Sequence, residues 1–181
     1  GPARAGKSSV AKVLSKRLGC IYLDTGAMYR AVTWAAMEQQ IAFDNIEDYV
    51  VIEKKLQLLR KHTNKQFVFY VLCSFDRSNM YDETFWKQDI EDTFKRIELL
   101  MKYKCIPYIM RYEKYKESPY KGMYITLARW CNQPAFVKKK SIREFSVDQG
   151  VKSSSYRYIE DFEKRYPDVA NKFYDMKFID F

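Results

Sequence analysis

The first eight residues constrain the fold more than any other segment of the chain. They match the pattern G-x-x-x-x-G-K-[ST] and read Gly1, Pro2, Ala3, Arg4, Ala5, Gly6, Lys7 and Ser8. This pattern is a phosphate-binding loop, which normally connects a buried β-strand to a helix. Its glycines let successive backbone N–H groups point at phosphate oxygens, and the following helix adds its positive end. The loop therefore predicts an α/β fold that binds a nucleoside triphosphate.

A helix directly after the loop supplies the context that this motif requires. One of its faces carries apolar side chains at helical spacing, namely Val10, Val13, Leu14 and Leu18. Gly19 ends the helix, and residues 20–23 predict a short buried strand. A second helix is expected at about residues 27–40, and Asn45 can cap a third that runs to about Lys61.

The next part of the chain predicts a strand, a long helix and a second strand. The β-rich run FVFYVLC occupies residues 67–73, Asp82 can cap a helix that ends near Tyr103, and residues 105–110 form the second strand. Because a helix joins the two strands, they should be parallel. Further helices are expected at about 122–132, 140–148, 155–165 and 168–175.

The predicted fold class is therefore α/β and helix-rich, in two segments. Residues 1–62 form a partial P-loop kinase segment, and residues 63–181 hold the βαβ unit followed by C-terminal helices. Because no strand precedes Gly1, we expect the nucleotide site to be incomplete. Strand edges left open in both segments predict poor solubility or pairing with other chains, although the sequence does not fix the oligomeric state.

Composition narrows the partners and the compartment. The net charge is +9, and the stretch from Lys102 to Arg143 holds eleven basic residues against two acidic ones, which favours phosphate-bearing partners. Four widely spaced cysteines and a single histidine do not form a zinc motif, and they indicate reduced, mostly buried thiols. The sequence contains neither an apolar run of about 18 residues nor a signal peptide, so we expect a cytoplasmic protein without a membrane partner.

The N-terminal stretch GPARAGKSSVAKVLSKRLGCIYLDTGAMYRAVTWAA resembles the start of the bacterial cytidylate ((d)CMP) kinases, up to about residue 55. Its specific part is LDTGAMYRAV, because this run is separate from the loop. The resemblance implies a transferase that moves a phosphoryl group from ATP to CMP or dCMP. It implies that ATP binds the nine residues Gly1, Pro2, Ala3, Arg4, Ala5, Gly6, Lys7, Ser8 and Ser9.

The resemblance also assigns individual roles within this segment. Lys7 is the catalytic residue that reaches the β- and γ-phosphates, and Ser8 holds the Mg²⁺ that accompanies ATP. CMP is bound by Asp24, Thr25 and Arg30, with the Arg30 guanidinium pairing with the CMP phosphate.

Besides the missing strand before Gly1, the sequence departs from this family in other ways. Arg4 stands where the family usually has glycine, and a positive φ at that position would cost arginine about 1–2 kcal/mol. No segment resembles the arginine-bearing lid that closes over the phosphates in such kinases, and none resembles their later CMP-contacting arginine motif. We therefore expect nucleotide binding to persist in a chain that is incomplete or inactive as a catalyst.

Residues 67–145 resemble the C-terminal part of a radical S-adenosylmethionine protein barrel. Three segments carry this resemblance: FVFYVLCSFD (67–76), IEDTFKRIELLMKYKCIPYIMRY (90–112) and SPYKGMYITLARWCNQP (118–134). The family's C-x-x-x-C-x-x-C loop is absent, so no iron–sulfur cluster is expected. Asp76 and Arg111 follow the two strands, where barrels place functional residues, but solvated loop charges are the simpler interpretation.

A third interpretation is a basic nucleic-acid-binding module. Six tyrosines between Tyr103 and Tyr124 alternate with lysines and arginines, and such a mixture can stack on bases and contact phosphates. We expect Tyr108, within a predicted strand, to belong to the core, so nucleic acid is the less favoured partner. The order of preference is therefore the kinase-like protein, then a cluster-less remnant of a radical S-adenosylmethionine protein, then the nucleic-acid-binding module.

Overall fold

The computed structural model describes residues 43–180. The chain divides into two compact units, Gly1–Ile41 and Ala42–Phe181, and the described residues belong to the second. The phosphate-binding loop, the short strand and the first two helices predicted from the sequence lie outside the described residues. The functional division at residues 62 and 63 remains a prediction.

A parallel βαβ unit forms the centre of the described part. Strand β1 spans Val68–Cys73, and strand β2 spans Ile106–Arg111. The two are parallel, with Val68 opposite Ile106 and Cys73 opposite Arg111. This arrangement confirms the predicted α/β class and the predicted strand direction.

The connecting helix follows from its cap and its apolar stripe. Before strand β1, helix α1 spans Tyr49–His62, so the connecting helix is α2, at Glu83–Lys102. The Asp82 carboxylate accepts a hydrogen bond from the Phe85 amide at 2.8 Å, as the sequence predicted. Apolar side chains at helical spacing are buried along one face, namely Trp86, Ile90, Phe94, Ile97 and Met101. This face packs on the sheet, and each fully buried side chain of this size contributes roughly 1.5–3 kcal/mol.

Five further helices follow the βαβ unit. They are α3 (Lys121–Cys131), α4 (Pro134–Val137), α5 (Ile142–Asp148), α6 (Ser154–Arg165) and α7 (Pro167–Phe173). All except the short α4 were predicted. Short 3₁₀ turns span Ile46–Asp48, Glu113–Glu117 and Phe178–Asp180.

Helices α3 and α7 connect this C-terminal group to the βαβ unit. Helix α3 packs against β2 and α6, and α7 packs against α2 and α6. The rings of Phe94 and Phe173 stack with centroids 5.4 Å apart at the contact between α2 and α7. The helices therefore cover the same side of the sheet as α2.

The outer edge of each strand is occupied, contrary to the open edges expected from the sequence. At β1, the Phe43 amide donates to Tyr70 O at 2.9 Å, and Arg96 donates to Leu72 O at 2.6 Å. At β2, the Asn132 amide accepts from Ile109 N at 2.7 Å and donates to Ile109 O at 3.1 Å. Both strands therefore end the sheet with protected edges.

One face of the sheet remains exposed. Residues alternate along β1, so that Phe69, Val71 and Cys73 are buried while Val68 and Tyr70 face solvent. Tyr108 of β2 is 40 % exposed, so its expected place in the core was wrong. The apolar character of both faces suggested burial on both sides, but the helices among residues 43–180 cover only one.

Candidate functional site

Most of the predicted site residues lie outside the described part of the chain. These are the ATP-binding residues 1–9, including Lys7 and Ser8, and the CMP-binding residues Asp24, Thr25 and Arg30. The described part contains the other two candidates, Asp76 and Arg111, at the carboxyl ends of β1 and β2. This edge of a parallel sheet is where ligands bind in open α/β folds.

Strand β1 ends in a tight, buried turn at Ser74. Its backbone adopts a left-handed conformation with φ of 62°, which is uncommon for a residue that carries a side chain. The Ser74 hydroxyl lies 2.8 Å from Tyr112 O, and the Ser74 amide donates to the Asp89 carboxylate at 2.8 Å. These contacts fix the turn and redirect the chain from β1 toward the loop that contains Asp76.

Asp89 is the buried carboxylate that holds this turn. Its side chain is 11 % exposed and also accepts a hydrogen bond from the Tyr124 hydroxyl at 2.7 Å. Arg96 Nη2 lies 3.8 Å from Asp89 Oδ1. Burial raises the pKa of Asp89, and the Arg96 guanidinium opposes that shift. Burial also raises the pKa of Tyr124, together with the nearby Asp89 charge.

Arg96 connects three separate segments from a position that is only 2 % exposed. Its Nη1 donates to Phe43 O at 2.7 Å and to Leu72 O at 2.6 Å. Its Nε donates to Asp92 O at 3.1 Å, and its Nη2 donates to the Thr93 hydroxyl at 2.9 Å. Burial lowers the pKa of this guanidinium, and Asp89 opposes the shift. The hydrogen-bonding groups of Asp89 and Arg96 are thus occupied by other parts of the fold. We conclude that the pair holds the end of β1 in position.

Asp76 is engaged by its own loop. Its carboxylate accepts hydrogen bonds from the Ser78 hydroxyl, from the Ser78 amide at 3.2 Å and from the Met80 amide at 2.8 Å. The hydrogen bond from the Ser78 hydroxyl, followed by that from Met80, lowers the pKa of Asp76. Asp76 therefore stabilises its own loop. This agrees with the simpler interpretation from the sequence, in which Asp76 is a loop charge rather than a functional residue.

Arg111 differs from Asp76 because its cationic group faces solvent. The guanidinium carbon lies 4.6 Å from the centroid of the Tyr115 ring. Beside it, the rings of Phe75 and Tyr112 meet edge to face with centroids 5.1 Å apart. The carboxyl edge of the sheet therefore presents the Arg111 cation beside several aromatic rings.

Sequence reasoning missed Asp89 and Arg96, although a signal was available. In an amphipathic helix, a charged residue on the apolar stripe must be paired once it is buried. Asp89 and Arg96 both fall on the stripe that begins with Trp86, seven residues apart. The left-handed turn at Ser74 carries no such signal in the sequence.

The cysteines of the described part are structural. Cys73, Cys105 and Cys131 are free and buried, as expected of reduced thiols, and Cys20 lies outside the described residues. Burial raises the pKa of the Cys73 thiol and that of the Cys131 thiol. Within residues 43–180, no group of three or more histidine, cysteine or carboxylate side chains is arranged to hold a metal ion.

A comparison with protein families decides the relationship of the chain. The family model "Cytidylate kinase" matches residues 1–91, which is half of the sequence. The chain belongs to the cytidylate kinase family. The match passes residue 55, where we expected the resemblance to end, and continues through β1 into α2. The resemblance of residues 67–145 to a radical S-adenosylmethionine barrel stays a prediction.

Individual cytidylate kinases support the same assignment over a shorter stretch. Those of Bacillus thuringiensis, Bacillus cereus and Bacillus anthracis are 47 % identical to the chain over 70 residues. That stretch is 38 % of this chain and 31 % of each relative. The chain therefore spans about a third of the length of these cytidylate kinases. No solved structure matches it.

None of the helices among residues 43–180 is both long and apolar enough to cross a membrane.

Proposed function

We propose that the chain is an ATP-binding, nucleoside monophosphate kinase-like protein whose reaction is phosphoryl transfer from ATP to CMP or dCMP. One observation carries the proposal: a complete G-x-x-x-x-G-K-[ST] loop lies within the segment that the cytidylate kinase family matches. In this proposal residues 1–9 bind ATP, and Ser8 holds Mg²⁺ together with the phosphates.

The proposed roles follow from charge. Lys7 places an ammonium group beside the β- and γ-phosphates, and phosphoryl transfer depends mainly on positioning and on neutralising such charge. Arg30 offers a planar guanidinium that can bind the CMP phosphate with two parallel hydrogen bonds. Asp24 and Thr25 complete the proposed CMP site.

Isothermal titration calorimetry of the whole chain with MgATP tests the ATP site. We expect a single saturable site in the wild type. In Lys7→Ala binding should be about 10- to 100-fold weaker, because a charge-assisted contact contributes about 1.5–3 kcal/mol. Lys12→Ala is the matched control, since Lys12 lies on the predicted outward face of the next helix and should leave the affinity unchanged. Equal heats for wild type and Lys7→Ala would refute the assignment.

CMP binding is tested separately with Arg30. Arg30→Met removes the guanidinium and keeps most of the apolar stem, so we expect weaker binding of CMP and unchanged binding of ATP. Arg17→Met is the control, because Arg17 lies on the predicted outer face of the first helix. Loss of ATP binding in Arg30→Met would indicate misfolding of the segment rather than a CMP contact.

Transfer is measured as CDP formed from ATP and CMP. We expect little turnover by this chain, because no segment of its sequence resembles the arginine-bearing lid of such kinases. CDP formation at the rate of an ordinary kinase, about 1–100 per second, would show that this expectation is wrong and that the chain supplies the charge in another way.

A second candidate rests on the parallel βαβ unit. The confirmed strand direction agrees with a piece of a radical S-adenosylmethionine barrel, in which the carboxyl ends of the strands face the ligand. This candidate predicts binding of S-adenosylmethionine without an iron–sulfur cluster. Titration with S-adenosylmethionine in the presence of saturating ATP tests it, and the absence of heat would exclude it.

A further inference from the structure

We draw no further inference here: the strongest candidate, the exposed apolar face of strands β1 and β2 around Tyr70 and Tyr108, carries none because nothing in the described part of the chain shows what covers it.

Discussion

Asp89 and Arg96 show how two buried charges can serve as structural residues. Each has most of its hydrogen-bonding groups matched within the fold, and together they fix the end of β1 and the segment that begins at Phe43. A buried pair of this kind contributes little as a pair, but removal of one partner leaves the other charge unmatched.

We therefore expect Asp89→Ala to destabilise the chain by about 3–5 kcal/mol, since it leaves Arg96 buried without its counter-charge. Glu160→Ala is the control, because Glu160 forms an exposed pair with Lys164, and its loss should cost less than about 1 kcal/mol. Urea denaturation followed by circular dichroism measures both. A cost for Asp89→Ala no larger than that of the control would contradict the positioning role.

Asp76 makes a separate prediction about pH. Its pKa is lowered from 3.8 by the Ser78 hydroxyl and then by the Met80 amide, so its loop contribution is complete above about pH 3.8. That contribution is lost as the pH falls through the lowered pKa, because the protonated carboxyl is a weaker acceptor. Ser78→Ala should move the Asp76 pKa upward in an NMR titration of its carboxyl carbon. Ser154→Ala, in helix α6, should not move it.

At the scale of the elements, the Asn132 side chain makes the hydrogen bonds to β2 that a neighbouring strand would otherwise make. Its amide accepts from Ile109 N and donates to Ile109 O, which reproduces the pattern of a paired strand at the edge of β2. Helix α3 supplies this residue directly after its last turn, so the packing of α3 on β2 and the protection of the edge depend on each other.

Asn132→Ala should cost about 1–3 kcal/mol, because it leaves the Ile109 amide and carbonyl without partners. The freed edge should also favour association between chains. Gln133→Ala changes the next, exposed residue and should be neutral. Denaturant unfolding and sedimentation at increasing protein concentration measure the two effects, and a neutral Asn132→Ala would show that water satisfies the edge.

The contact between α3 and α6 requires a glycine. A Cβ atom at Gly122 would lie 2.2 Å from the ring of Tyr158, and ring atoms next to Cβ cannot move away alone. Gly122→Ala should therefore cost about 1–3 kcal/mol from overpacking, despite the better helix propensity of alanine. In a Tyr158→Ala background the same change should be neutral or stabilising. A double-mutant cycle measured by thermal unfolding tests this coupling, and additive effects would contradict it.

The sequence predicted the bounds of the strands and helices better than it predicted which of their residues are buried or bonded. The bounds of β1, α2 and β2 follow from a local cap at Asp82 and from β-rich runs, so they were predicted to within a residue or two. The Asn132 edge contact joins positions 23 residues apart in sequence, and no local pattern encodes it. The exposure of Tyr108 was missed because strands that are apolar on both faces predict burial on both faces.

The same limit applies to the candidate site. A short motif with known spacing predicts the phosphate-binding loop, since its residues are contiguous. The Asp89–Arg96 pair joins two side chains of a helix to backbone groups of a strand end and of the segment at Phe43. Only the periodicity of α2 hinted at that pair.

At the scale of the whole molecule, the family match and the division into compact units cover different parts of the chain. Residues 1–91 match the cytidylate kinase family, while residues 42–181 form a compact unit with a parallel βαβ core. The boundary of the family match and the boundary of the compact unit therefore do not coincide. The residues proposed to bind ATP and CMP all lie within the stretch that the family matches.

An acyl-phosphate derivative of ATP tests the central claim most directly, because it transfers its label to a lysine that lies beside the bound phosphates. Peptide mapping of the labelled chain by mass spectrometry should place the label on Lys7, and excess MgATP should prevent the labelling. Label spread over exposed lysines such as Lys139 and Lys172, unaffected by MgATP, would contradict an ATP site at residues 1–9.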